Sequence, residues 1–181
     1  MSQLAEALVD EWLNRQGYFT VRGLKDGVSE IDLLGVRPSA GGHEAWHVEV
    51  QTSLRPVGYI TPLAKKDVPA FAKIRTSAKT RPDSILERSV CSWIQQKFTA
   101  KAKVAARERA WPGLDWRYVF VHAVVREMRE LELIERHGVQ IVPFQQVLGQ
   151  LHHAPASQRG GAGTDLAEIV EYFAKHPVGQ T

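Results

Sequence analysis

The chain reads as an α/β sandwich built on one mixed sheet. Three observations predict it. An amphipathic helix opens the chain, three strand patterns follow with only turns between them, and the later strands are separated by helices. A meander supplies antiparallel neighbours, and helix-separated strands supply parallel ones. At 181 residues the chain suits one domain.

Each element follows from its local pattern. Ser2 can cap a helix to about Gln16, with Leu4, Leu8 and Trp12 on one row and Ala5, Val9 and Leu13 on the next. Gly17 ends it. Tyr18 to Arg22 is a strand, Lys25-Asp26-Gly27 a turn, and Ile31 to Val36 a second strand interrupted by Asp32. After a loop at Pro38 to Gly42, Ala45 to Thr52 alternates cleanly, with Trp46, Val48 and Val50 on one face and His47, Glu49 and Gln51 on the other. Residues 53–83 hold Pro56, Pro62, Pro69 and Pro82, and predict no element beyond a short helix. Ser84 and Glu87 match a capping box, and Leu86, Val90, Ile94, Phe98 and Ala102 predict one long helix to about Ala110. Trp116 to Val125 reads as a central strand. A helix from about Glu127 to Arg136, a strand at Val139 to Val142 and a helix at Phe144 to Leu151 complete a domain over 1–151. A Pro/Gly/Ser-rich flexible tether at 152–163 and a C-terminal helix at 164–181 are expected to follow.

Composition excludes several classes. At 44% hydrophobic and 24% charged, the chain is globular in type. No apolar run approaches the roughly 20 residues of a membrane helix, and the N-terminus is not a secretory leader, so a cytoplasmic protein without a membrane partner is expected. The single Cys91 makes no internal disulfide and no Cys-based zinc site. The net charge of +3 conceals a split: residues 1–52 carry −4, residues 53–109 carry +9 and residues 110–181 carry −2. The basic middle suits a polyanion or a solvated surface equally well.

Asp32 sits between Ile31 and Leu33, and Glu49 between Val48 and Val50. A carboxylate among strand apolar residues costs several kcal/mol unless it is paired or binds a cation. On adjacent strands the two would form a hard-oxygen site for Mg²⁺ or Mn²⁺, with the Val50 carbonyl or Gln51 side chain as a further ligand. A solvent-facing carboxylate pair is the alternative.

Ser29-Glu-Ile-Asp32-Leu-Leu-Gly, a loop, and Trp46-His-Val-Glu49-Val-Gln51-Thr resemble the active-site hairpin of the PD-(D/E)XK, or restriction-endonuclease-like, nuclease superfamily. The resemblance implies an α-β-β-β-α-β core with one mixed central sheet flanked by helices, matching the order read above. It implies a Mg²⁺-dependent deoxyribonuclease, an endonuclease, that hydrolyses phosphodiester bonds in DNA. Asp32 and Glu49 match the family's metal carboxylates, and Glu6 matches the carboxylate that the first helix often contributes. The family's lysine corresponds to Gln51, a departure, because glutamine positions water but cannot accept a proton. The base is left open between a metal-bound hydroxide and a migrated Lys65 or Lys66. An inactive nuclease-fold module that only binds nucleic acid is the alternative.

The basic insert at 53–83 begins two residues after Gln51. Arg55, Lys65, Lys66, Lys73, Arg75 and Lys79 would neutralise phosphates, joined by Lys97 and Lys101 of the following helix and, in the same run, by Arg81, Lys103, Arg107 and Arg109. Tyr59 is a candidate for stacking on a base, and Phe71 for packing. A surface hydrogen-bonding role is expected for His47 ahead of metal contact, a core position for His122, and a packed position for Cys91. Cutting two strands takes two sites, so a homodimer is compatible with the reading.

Overall fold

The chain enters its fold through α1 (Ser2–Arg15), whose broad apolar stripe buries Ala5, Leu8, Val9, Trp12 and Leu13. Gly17 adopts φ 82°, a left-handed conformation that stops the helix and turns the chain into the sheet. The computed structural model describes residues 2–53 and 58–153, with positions 168, 169, 172 and 175 beyond them. The expected tether, apart from His152 and His153, lies outside the described residues, as does most of the expected C-terminal helix. The four described positions there are helical and exposed, Ile169 among them.

Strands β1 (Phe19–Asp26), β2 (Ser29–Ser39) and β3 (Gly42–Gln51) form an antiparallel meander. Two-residue connections join them at Gly27-Val28 and Ala40-Gly41, so both hairpins are tighter and their strands longer than the patterns suggest. A short 3₁₀ turn (Lys65–Asp67) and α2 (Val68–Phe71) interrupt the long connection that follows. Then come α3 (Asp83–Ile94), α4 (Lys101–Ala110), β4 (Trp116–His122), α5 (Met128–Arg136), β5 (Val139–Pro143) and α6 (Phe144–His153). The sheet order is β1-β2-β3-β4-β5, with β4 parallel to both β3 and β5.

The alternation of β3 decides what each face buries. Trp46, Val48 and Val50 join Leu33, Val119 and Val121 under α1 and α6. On the other face Phe120 packs with Val90, Trp93, Phe98, Leu131 and Ile134 of α3, α5 and the turn after α3. The expected α/β sandwich on one mixed sheet is therefore present.

Three local expectations are corrected. The helix from 84 to 110 is two helices: a π turn over Gln95–Thr99 and an extended Ala100 (φ −57°, ψ 137°) separate α3 from α4. Four-residue spacing advances about 40° per step on an α-helix, so the stripe walks off the sheet, and one widened turn returns Phe98 to the core. The Ser84 capping box does not form. Pro82 occupies the cap position, no side chain caps the helix, and Glu87 turns instead to His137. Cys91 is exposed, because Leu86, Val90 and Trp93 carry the buried stripe of α3 and Cys91 lies beside it.

Candidate functional site

The site begins with an irregularity in β2. The β2–β3 register ends at Leu33↔Val48, and Asp32 is paired in register with neither Gly23 nor Glu49. Its side chain supplies the next bond instead: Val50 N–H donates to Asp32 Oδ2 at 2.8 Å. Ile31 and Leu34 join one apolar cluster although three residues apart, while Leu33 joins the cluster on the opposite face, so the strand changes its facing at Asp32. Opposite it, Gly23 takes φ 66°, a conformation that favours glycine.

A polar cleft of about 650 Å³ opens there, lined by Gln3, Glu6, Arg22, Glu30, Asp32 and Lys97 among others. Glu6 arrives from α1 and Lys97 from the π turn, so the cleft is served from both sides of the sheet. Burial, and then the charge of Glu49, push the Asp32 carboxyl up to about 6, against the opposing pull of Lys97 and the Val50 N–H. Burial and the charge of Glu30 also raise Glu6.

Glu49 is buried next to this cleft, at 1% exposure. Lys97 donates to its Oε2 at 2.7 Å, while Lys103 and His47 both reach Oε1, His47 through Nε2 at 3.1 Å. Burial alone would raise the carboxyl. The His47 hydrogen bond and the two ammonium groups outweigh it and hold Glu49 at about 2. Arg107 Nη1 donates to His47 Nδ1 at 2.6 Å and to the Phe98 carbonyl at 2.7 Å. That bond makes Nδ1 the acceptor and leaves Nε2 to carry the proton toward Glu49. Burial, with the Arg107 and Lys103 charges, lowers His47 to about 4, so the ring is neutral near pH 7. His47 is therefore a buried relay between Arg107 and Glu49, not a surface group.

The break between α3 and α4 builds this network. Lys97 and Lys103 are six residues apart and would point about 120° from each other on a continuous helix. With Ala100 extended, both ammonium groups converge on one carboxylate.

The expected site residues divide accordingly. Glu6, Asp32 and Val50 line the cleft, and Glu49 lies behind Lys97. The charges of Glu6, Asp32 and Glu49 all act on Lys97, and together they outweigh burial and raise its pKa. Gln51 does not line this cleft. It is half-buried on a second cavity of about 360 Å³ with Tyr59, Thr61, Thr76 and Arg81.

Among the expected phosphate contacts, Arg55 lies outside the described residues. Lys65, Lys66, Lys73, Lys79 and Lys101 are exposed. Arg75 is half-buried and donates to the Leu63 carbonyl at 2.8 Å. Lys97, assigned from sequence to phosphate, is instead spent on Glu49. Arg81, Lys103 and Arg107 are buried and so are not a phosphate-facing surface, and Arg109 pairs with Asp26. Tyr59 is not free to stack on a base: the Arg81 guanidinium lies 3.9 Å from its ring centre and the Arg81 N–H donates to its hydroxyl. Lys79 sits over the half-buried Phe71 ring. His122 is buried and hydrogen-bonded to the Ala123 carbonyl, as expected.

Sequence reasoning assigned the Lys97–Lys103–Arg107 set to phosphate and missed its inward role, because three cations on a mixed-charge helix look like an outward-facing surface. It also missed Glu130, which is fully buried on α5 and accepts the Ile60 and Thr61 N–H groups at 2.6 and 2.8 Å together with the Thr61 hydroxyl. This carboxylate pins the insert to the fold. Among the described residues no helix is long and apolar enough to cross a membrane. Comparisons with protein-family models, curated proteins and solved structures find no match to this chain.

Proposed function

We propose that the cleft at Asp32 is the active site of a metal-dependent nuclease of PD-(D/E)XK type, acting on DNA. The observation that carries the reading is that carboxylates from α1, β2 and β3 gather at one cation at the wall of a polar cleft: Glu6 and Asp32 line the cleft with Lys97, and Lys97 donates to Glu49. The element order α-β-β-β-α-β, with an antiparallel meander and a parallel β3–β4 pair, supports it.

The donors suit a hard divalent ion: the Asp32 and Glu49 carboxylates, with Glu6 on the cleft wall, and an Asp32 carboxyl raised first by burial and then by the neighbouring Glu49 charge, a penalty that a bound cation would relieve. Asp32 and Glu49 would hold Mg²⁺ or Mn²⁺ once Lys97 releases Glu49. The ion would supply charge stabilisation at the phosphate and an acidified water. Glu6 would orient water across the cleft. Lys97, displaced but still beside the carboxylates, would hold or move the proton that Gln51 cannot. The exposed lysines at 65, 66, 73 and 79 would carry the DNA backbone.

The test is cleavage of supercoiled and single-stranded DNA with Mg²⁺ or Mn²⁺, with Asp32→Ala alongside. Metal-dependent cleavage that Asp32→Ala abolishes is expected. Absent cleavage, or cleavage that survives Asp32→Ala, overturns the catalytic reading. A second reading draws on the same network: Glu49 already balanced by two lysines is what a nuclease-fold binding module without turnover would show. DNA binding without cleavage would select it.

A further inference from the structure

The geometry points to a second, chemically different metal site on the outside of the molecule: Glu87, Cys91 and His137 as three ligands for Zn²⁺. Glu87 and Cys91 are four apart on α3 and share a face. His137 lies just past α5, where Gly138 (φ 82°) turns the chain into β5. Among the described residues this is the group whose ligand atoms all lie within 4.8 Å of one another. His137 Nε2 is 2.7 Å from Glu87 Oε1 and 3.5 Å from Cys91 Sγ.

One ring nitrogen thus faces a carboxylate and a thiol at once. A proton on that nitrogen satisfies one of them, whereas a tetrahedral cation satisfies all three. With Zn–S about 2.3 Å and Zn–N and Zn–O about 2.0–2.1 Å, tetrahedral angles place S and N about 3.5 Å apart and O and N about 3.3 Å apart. The Cys91–His137 spacing already has that value, the Glu87–His137 spacing is within about half an ångström of it, and the Cys91–Glu87 spacing is within 4.8 Å. Cys91 and His137 are exposed and Glu87 half-buried, so an ion enters without unfolding and keeps a fourth, solvent-facing position.

Thiolate and imidazole donors favour Zn²⁺ over Mg²⁺, the reverse of the carboxylate cleft. A cysteine-based site was not expected from one cysteine. One thiolate suffices when a helix turn adds a carboxylate and the packing of α3 on α5 adds an imidazole. Bound there, the ion cross-links α3 to the corner between α5 and β5. The site does not depend on the nuclease reading.

Cobalt(II) titration tests it. Cys91 is the only cysteine, so a thiolate-to-cobalt charge-transfer band reports this site alone. A band of 1:1 stoichiometry is expected, displaced by Zn²⁺ but not by Mg²⁺. It should vanish in Cys91→Ser and persist unchanged in Asp32→Asn, which separates this site from the cleft. Cobalt affinity should fall by about tenfold or more in both His137→Ala and Glu87→Gln. Circular dichroism confirms that these surface variants remain folded. No band in the wild type overturns the site. Wild-type affinity in either His137→Ala or Glu87→Gln also overturns it, since an exposed thiol would then be catching cobalt without the three-ligand set.

Discussion

Lys97 Nζ stands 2.7 Å from Glu49 Oε2, and that contact ties the turn between α3 and α4 to the strand that carries the candidate chemistry. The same ammonium lines the cleft of Asp32 and feels the charge of Glu6. On the proposed reading, it is the place where a divalent ion would compete with the protein for one carboxylate.

Replacing Lys97 by Met should therefore act in two directions. The metal concentration needed for half-maximal cleavage should fall, because the competing cation is gone. The turnover rate at saturating metal should fall by roughly 10²-fold, because the group proposed to handle the proton is gone. Cleavage rates over a Mg²⁺ series measure both. A higher metal requirement with unchanged turnover would place Lys97 outside this role.

Asp32→Asn should stabilise the protein near neutral pH. The folded carboxyl titrates at about 6, above its ordinary 3.8, so the ionised form is disfavoured by folding. Relative to the protonated form, stability is full below about 4 and declines as pH rises through 6. Asparagine removes that penalty and can still accept the Val50 N–H. The gain is on the order of 1–3 kcal/mol at pH 7.5 and vanishes below about pH 4. Thermal melts across pH check it, and added Mg²⁺ should raise the wild-type midpoint but not that of Asp32→Asn.

Glu49→Ala should fail by unfolding before it informs on catalysis. Removing a buried carboxylate strands Lys103 and exposes the His47–Arg107 pair to uncompensated charge, at a cost of about 3–5 kcal/mol. Its folded pKa of about 2 lies below the ordinary 4.5. This contribution is therefore complete above about pH 4.5 and lost as pH falls toward 2. Chemical denaturation at neutral pH measures the first figure. A Glu49→Leu/Lys103→Met pair should recover much of the loss, and a pair no better than Glu49→Ala would show that the network is not what stabilises this strand.

Charge reversal at Lys65, Lys66, Lys73 and Lys79 should weaken DNA binding with little change in melting temperature, since all four are exposed and, among the described residues, only Lys79 packs on another side chain, Phe71. If each contacts a phosphate, the slope of log affinity against log salt shrinks by about one per lysine. An unchanged slope would move the docking surface elsewhere.

The strands were legible because period-two alternation survives in Trp46 to Gln51, and the central strand because Val119 to Val121 is covered on both faces. The carboxylates Asp32 and Glu49 stood out because apolar neighbours make a charge anomalous. The cations were illegible for the opposite reason. Lys97, Lys103 and Arg107 lie in a sequence rich in charge, and only the break at Ala100, invisible to helical periodicity, turns them inward. Arg81 misled in the same way: a basic residue in a basic insert reads as surface, yet it is 1% exposed and donates to the Thr61 carbonyl.

The clamp by Glu130 has a consequence for how the fold tolerates change. The connection from β3 to α3 is pinned partway, at Ile60 and Thr61, and so behaves as two unequal loops. The span from 62 to 82 is long, and closure entropy grows only with the logarithm of length. Insertions and deletions should thus be absorbed in the largely exposed stretch from 76 to 80 and resisted around Leu63, Asp67 and Arg81, which are buried. That stretch is free to vary in length while the pinned segments on either side of it hold still.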